Sequence, residues 1–327
     1  MITPLLSICI ATYNRASFIG ETLDSIIPQL DDDVELLIVD GASTDNTEDV
    51  VRNYTLKDTR IQYVRLPAKG GVDHDYDKSI ELAHGEFCWL FTDDDLFKPG
   101  AVAAVKAAIK KDYDLVVVNA EVRDRKLSAI LEHRRIIMQD NKEYAPNSME
   151  YLFVDALNYL SFIGAVVIRR SIWLSRERKV YFGTEFVHVG VIFQRPFLKP
   201  TLIIAEPYIC IRYGNAMWKP RSFDIWMYKW PKLVWSFEYI SSQSKQVIIR
   251  KEPWKRMKTL LVFRGMGVYD AQNFNDHFSA LPVPRLWKMG AWLITRLPVN
   301  ILTCFLSMYY RFIKQKALML YDLKPNG

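Results

Sequence analysis

Asp93, Asp94 and Asp95 stand in a row in WLFTDDDLFKPGAV (89–102), directly after the apolar run Trp89-Leu90-Phe91 and before a Lys-Pro-Gly turn. Three adjacent carboxylates repel one another, so either water screens them on a surface turn or they hold a cation and what it carries. Hard divalent cations such as Mn²⁺ and Mg²⁺ take oxygen ligands, commonly one or two carboxylates completed by phosphate oxygens and water. If extended geometry continues past the apolar run, Asp93 and Asp95 project to one side and face one ion. A plain solvated turn is the alternative reading. The apolar strand before the triplet favours the cation.

The elements that must position these residues alternate along the chain. LLSICIA (5–11), VELLIVD (34–40), IQYVRLP (61–67), EFCWLFT (86–92) and DLVVVNA (114–120) predict buried strands. Phe18, Ile19, Leu23, Ile26, Ile27 and Leu30 fall at helical spacing, in a helix that ends at Pro28 or in the DDD after it. Residues 47–54, 74–84 and 100–110 predict three more helices. Continuous apolar strands alternating with helices imply an α/β fold, a mainly parallel sheet flanked by helices. Ligands of such sheets sit beyond the carboxyl ends of the strands, which here carry Thr12-Tyr13-Asn14-Arg15, Asp40 and the acidic triplet. No GxxxxGK[ST] exists and no GxGxxG follows the first strand, which argues against a P-loop enzyme and a dinucleotide-binding dehydrogenase. Tyr13 can stack on a base instead, with polar neighbours for ribose or phosphate.

Composition narrows the class. Half of the 327 residues are apolar and 24% are charged, as in folded proteins, and a net charge of +6 is too small to argue for nucleic acid. Cys9, Cys88, Cys210 and Cys304 form no CxxC pair, so neither a zinc site nor a disulfide framework is expected, and a reducing compartment fits. The opening MITPLLSICIATYN lacks the pattern of a signal peptide, so a cytoplasmic location is expected.

SICIATYNR, ELLIVDGASTDNT and AHGEFCWLFTDDDLFKPGA resemble, in order and spacing, the successive motifs of family 2 glycosyltransferases with the GT-A (Rossmann-like) fold. The resemblance covers residues 1–120. It implies that Ala11, Tyr13 and Arg15 border the nucleotide, that Asp40 lies near base or ribose, that Asp93 and Asp95 form a metal-binding DxD element, and that Asp94 faces the donor sugar. Two places depart from the family pattern. Many members carry a second Asp after the one at position 40, where this chain has Gly41, and many carry Arg-Asn in the helix before the DxD strand, where this chain has Tyr76-Asp77. GGVDHDYDKSIELAHGE is similar to an abequosyltransferase-like subgroup, which makes Asp73, Asp75 and Lys78 donor contacts; a charged helix face is the other reading.

Members of this kind invert the anomeric centre in one displacement, which needs a base for the acceptor hydroxyl. In YFGTEFVHVGVIFQ (181–194), Gly183 permits a sharp turn, and Glu185 and His188, three apart at a helix start, would share a face. Glu185 is the first choice of base and His188 the second, with His188 also a possible metal ligand. The family commonly has Glu-Asp here; this chain has Glu185-Phe186. In 212–230, Trp218, Trp226 and Trp230 among Arg212, Lys219, Arg221 and Lys229 suit a sugar or an anionic diphosphate, or else simple aromatic packing.

From about 221 the alternation stops and helices are expected. Between 285 and 323, apolar and aromatic residues alternate with Arg285, Lys288, Arg296, Arg311, Lys314 and Lys316, while the longest uncharged stretch, Leu297 to Tyr310, contains Pro298 and is too short to span a bilayer. The pattern fits helices lying on an anionic membrane, or a helical hairpin packed on the protein or on a second subunit. The expected organisation is a catalytic domain over 1–220 (1–120 for the nucleotide-sugar, 121–220 for the acceptor) and a helical, membrane-associating region over 221–327. The expected function is Mn²⁺- or Mg²⁺-dependent, inverting transfer of a sugar from a UDP-, GDP-, dTDP- or CDP-sugar. The acceptor would be a lipid-linked glycan of bacterial surface polysaccharide (O-antigen or capsule), at the inner face of the cell membrane. Nucleic acid is not an expected partner, and oligomeric state is open. A sugar nucleotidyltransferase would need a Gly-rich basic loop that TYNRASFIG does not provide; a non-catalytic binding module is the remaining alternative.

Overall fold

The apolar runs nearest the N-terminus become adjacent parallel strands: β1 (Leu6–Thr12), β2 (Val34–Asp40), β3 (Ile61–Arg65) and β4 (Phe87–Phe91), in the order β3-β2-β1-β4. The computed structural model describes residues 3–314 and 317–323. Every residue of β2 and β4 is buried, as strands covered on both faces must be. The covering helices are α1 (Ile19–Ile26), α2 (Thr47–Thr55) and α3 (Val72–Leu82). Helix α1 buries Ile19, Thr22, Leu23 and Ile26, one helical stripe, and gives way to a 3₁₀ turn containing Pro28, which has no N–H to continue the ladder. The chain runs outward from β1 to β3 and then returns to the other side of β1 as β4. The strand order therefore reverses between β1 and β4, the crevice where open α/β sheets bind ligands.

The rest of the sheet comes from β5 (Leu96–Phe97), α4 (Ala101–Ile109), β6 (Leu115–Arg123), β7 (Ile130–Glu132), β8 (Lys142–Tyr144), α5 (Met149–Leu160), β9 (Val166–Arg169), α6 (Arg170–Leu174), α7 (Val187–Ile192) and β10 (Thr201–Arg212). The order continues β4-β9-β6-β10-β5. The apolar run of β6 is therefore not the next parallel neighbour of β4. The later strand β9 lies between them, antiparallel to both, and β6 finds its parallel partner in β10. Apolar content specifies a buried strand but not which strand lies beside it. Trp89 of β4 is pinned by its indole N–H, which donates to the Gly164 carbonyl at 2.9 Å, and by stacking on Phe97 at 4.0 Å.

The chain divides into two compact units, one of residues Met1–Arg212 and Phe237–Ser244, the other of Tyr213–Ser236 and Lys245–Gly327. Where a single cut at 220/221 was expected, residues 237–244 return to the first unit because the Phe237 ring packs on Phe153 and Phe193. The second unit is helical: α8 (Ser222–Asp224), α9 (Trp230–Ser236), the end of α10 (Ser242–Ile248), α11 (Met257–Gly265), α12 (Ala271–His277), α13 (Arg285–Arg296), α14 (Val299–Met308) and α15 (Ala317–Asp322). Its core gathers Phe223, Trp254, Leu260, Tyr269 and Phe278. Asp270 closes a capping box on α12.

Helix α13 buries Ala291 and Ile294 while Leu286, Met289 and Leu293 face out, and Ile301, Phe305, Met308 and Phe312 form a second exposed stripe. Among the described residues no single helix is long and apolar enough to cross a membrane. The pair Arg285–Arg296 and Val299–Ile313, bent by 96°, reaches that length and composition only together. Lys316 of the basic series lies outside the described residues.

Candidate active site

The crevice is built by two loops that lock each other. Asn14, after β1, adopts φ +54, a left-handed conformation that Asn tolerates better than most residues. Its backbone N–H donates to Ser43 Oγ at 2.8 Å, and its side-chain oxygen accepts from the Thr44 backbone at 2.7 Å. The Arg15 N–H donates to Thr47 Oγ1 at 2.8 Å. The polar stretch GASTDNT is therefore the clamp that fixes the loop carrying Tyr13 and Arg15. Beneath it Asp40 is fully buried. One of its oxygens accepts from the Ser43 N–H at 2.7 Å and the other from the Tyr63 hydroxyl at 2.7 Å. Ala11 lies at the end of β1, paired with Val39. Tyr13 carries the Lys69 ammonium 3.7 Å over its ring.

Across the crevice stands the acidic turn. Strand geometry stops at Phe91, whose carbonyl accepts from the Tyr76 hydroxyl at 2.9 Å, so the alternation expected of Asp93 and Asp95 does not continue. Asp93 and Asp94 share one cation, the Arg15 guanidinium, at 3.2 Å each. Asp95 turns inward, accepting from Thr92 Oγ1 at 2.5 Å and from the Arg212 N–H at 2.7 Å. Burial, then repulsion from Asp94, pushes Asp93 up to about 7 and holds Asp95 well above the ordinary carboxylate range. Arg15 offsets part of the charge of this turn. Arg212, which the sequence offered to an anionic ligand, is buried. Its guanidinium bonds the Asp94 carbonyl at 2.9 Å, the Arg125 carbonyl at 3.0 Å and Glu21 at 2.7 Å, so it braces the turn from behind.

The donor set fits a hard cation. It is all oxygen and mostly buried, which suits such an ion, although among the described residues no three His, Cys, Asp or Glu side chains converge into a ready-made metal site. His188 does not belong to it. The imidazole is 1% exposed on α7, its Nε2–H donates to the Leu160 carbonyl at 2.8 Å, and burial depresses its pKa to about 4.

Helix α3 carries buried carboxylates that reach different segments. Asp73 accepts from the Glu185 N–H and the Val187 N–H, both at 2.9 Å, and burial raises it to about 6. Asp77 takes the Trp173 indole at 2.8 Å and Arg178 at 2.8 Å. Lys78 is on the half-exposed side, paired with Glu81 at 3.3 Å, and is not brought to the acidic turn. Glu185 precedes α7 with φ +74, so it and His188 do not share a helix face as expected. A non-glycine residue in that conformation is strained, and the Asp73 carboxylate is what holds it. Asp73 is thus a positioning residue for the Glu185 loop, a role that charge patterning alone could not reveal. Of the aromatic zone, Trp230 is buried, and Trp226 packs edge-on between Trp218 and Trp230 in the helical unit.

A reversed strand order with an acidic turn and a clamped aromatic loop at the switch point defines a GT-A glycosyltransferase sheet. Residues 7–174 match the model of glycosyl transferase family 2, and the chain belongs to that family. It is 27% identical to the abequosyltransferase RfbV of Salmonella typhimurium over 84% of this chain and 89% of that one. It is 31% identical to the GalNAc(5)-diNAcBac-PP-undecaprenol beta-1,3-glucosyltransferase of Campylobacter jejuni, over 36% of this chain and 38% of that one. The S. aureus TarS 1–349 structure in complex with UDP covers 97% of this chain and 88% of its own, with a TM-score of 0.53 at 15% identity. The mannosyltransferase PcManGT from Pyrobaculum calidifontis in complex with GDP-Man and Mn²⁺ covers 99% and 86%, with a TM-score of 0.54 at 17% identity. The protein is a glycosyltransferase with relatives in bacterial polysaccharide synthesis.

Proposed function

We propose that the protein transfers a sugar, with inversion, from a nucleoside-diphosphate sugar to a lipid-linked glycan at a membrane surface. The observation that carries this reading is the buried acidic turn facing Arg15 across the β1/β4 crevice. Asp93 and Asp94, which share the Arg15 guanidinium, would hold Mn²⁺ or Mg²⁺; Asp95, expected beside Asp93, has both oxygens engaged by Thr92 and the Arg212 N–H and would brace the turn. When bound, the cation supplies neutralisation of the departing diphosphate. Tyr13 offers a flat face for the base, and Ala11 lets the backbone approach. Glu185, held by Asp73, takes the proton of the acceptor hydroxyl. The hydroxyl oxygen bonds to the anomeric carbon as the bond to the diphosphate oxygen breaks, and the electron pair leaves with the nucleoside diphosphate. The lipid-linked acceptor is supported by the name of the Campylobacter relative and by the apolar stripes of α13 and α14, which carry Arg285, Lys288 and Arg296 and almost no acid.

The test is turnover by the full chain across UDP-, GDP-, dTDP- and CDP-sugars, with and without Mn²⁺ and a bacterial lipid fraction. Release of free nucleoside diphosphate that requires both is expected. Release of pyrophosphate would reassign the chemistry to nucleotidyl transfer, and turnover undiminished by EDTA would remove the metal.

A further inference from the structure

Gly41 follows Asp40 at the end of β2, and a side chain from α3 fills the space beside it. A Cβ built on Gly41 would stand 2.5 Å from Asp75 Oδ2, which reaches there from α3. Asp75 is 4% exposed, and its Oδ1 faces His74 Nδ1 at 3.2 Å. Among the described residues no donor reaches Oδ2. Asp40, the neighbouring carboxylate, has both oxygens engaged by Ser43 and Tyr63 and has less to offer a ligand. Gly70 packs on the other side of the pair, where a Cβ would collide with His74 Nδ1 and stand 3.1 Å from Asp75 Oδ1. Two glycines in separate loops thus make room for one carboxylate.

Its place says what it would meet. Gly41 follows β2 and the acidic turn follows β4, on opposite sides of β1. Two strand spacings separate those ends by about 10 Å, the scale of a nucleoside joined to its phosphates. With the diphosphate at the acidic turn and the base on Tyr13, the nucleoside end falls beside Gly41. A carboxylate only accepts, so its partner must carry an N–H or O–H.

We propose that Asp75, through Oδ2, reads the nucleoside of the donor by accepting a hydrogen bond from a base N–H or the ribose 2′-hydroxyl. It does on α3 what a carboxylate at position 41 would do on β2. The proposal rests on the transferase reading above, since the ligand is the donor nucleotide.

The test is calorimetric titration of the full chain, in Mn²⁺, with UDP, GDP, CDP, dTDP and the 2′-deoxy forms of the first three. Asp75→Asn should weaken the preferred nucleotide about ten- to a hundredfold, the scale of a hydrogen bond to a charged group. The loss should fall on one base, or on the ribonucleotides over their 2′-deoxy forms. The double variant Gly41→Asp/Asp75→Ala, which returns the carboxylate to β2, should recover most of the selectivity. An equal loss for every nucleotide, or no loss, overturns the proposal and leaves the transferase reading standing. If the wild-type chain binds none of these nucleotides, the transferase reading itself falls.

Discussion

The catalytic unit and the helical unit break the same rule in opposite directions. In the first, Asp40, Asp73, Asp75, Asp77, Asp93 and Asp95 are carboxylates removed from water. In the second, Leu286, Met289, Leu293, Ile301, Phe305 and Phe312 are apolar side chains left in it, Leu286 at 78% and Phe305 at 63% exposure. Carboxylates are almost never buried unless paired, and contiguous exposed apolar stripes are rare unless something covers them. Each departure marks a surface that something outside the chain completes. The six carboxylates are not equivalent, however. Asp40, Asp73, Asp77 and Asp95 are satisfied by protein donors and act as braces, whereas Asp75 and Asp93 are only partly satisfied.

The largest effects should come from the catalytic unit. Glu185→Gln should lower kcat about a thousandfold, within the range for loss of a general base, while donor affinity stays within about threefold. Normal turnover in that variant would leave the loop strain at Glu185 without a catalytic purpose. Asp93→Asn should abolish Mn²⁺-dependent turnover. The helical unit should respond differently. Changing Leu286, Leu293 and Phe305 together to Ser removes several kcal/mol of apolar transfer, at about 1.5–3 kcal/mol per side chain. Co-sedimentation with phosphatidylglycerol vesicles should fall at least about tenfold, with turnover on a water-soluble acceptor unchanged. If the wild-type chain ignores those vesicles, the comparison loses its second half.

How much of this was legible in the sequence follows from the range of the interactions involved. β1, β2 and β4 could be read because burial on both faces writes a continuous apolar run, and the acidic turn because it interrupts one. The insertion of β9 between β4 and β6 could not, since pairing with a strand about 50–80 residues away leaves no local trace. The same holds within the site. Arg15 was legible as a member of the loop motif, yet its bond to Asp93 and Asp94 joins positions far apart in the chain. Asp73 and Lys78 looked alike as charges on one helix, and only the fold separates a buried clamp on the Glu185 loop from a surface ion pair. His188 looked like a ligand because a histidine carries the chemistry, but the face it occupies is set by where α7 starts, two residues after Glu185.

A smaller effect sharpens the account of the buried charge. Asp93 has a folded pKa of about 7 against an ordinary 3.8, so between those values the folded state binds more protons than the unfolded one. Stability contributed by this group is therefore full below about pH 4 and declines as pH rises to about 7. In metal-free protein, Asp93→Asn should raise stability at pH 8, and the gain should vanish near pH 4. Urea denaturation at the two pH values checks it. A variant that is more stable and inactive is what a site strained for binding produces. Equal stability at both values would mean that Arg15 alone already balances the turn.

The smallest effect separates burial from catalysis. His188 is buried like Asp93; its Nε2–H has the Leu160 carbonyl, its Nδ1 has no hydrogen-bond partner among the described residues, and burial keeps it neutral. Replacing it with Gln, which can keep a donor on that carbonyl, should cost about 1–2 kcal/mol and change kcat by less than about threefold. The pH dependence carries the sign. With a folded pKa of about 4 and an ordinary value of 6.5, the unfolded chain takes up the proton first, so wild-type stability falls as pH drops from about 6.5 to about 4. The Gln variant should lack that slope. A hundredfold loss of kcat would instead bring His188 back into the chemistry. Retained activity would establish that burial of a titratable group does not by itself mark the site.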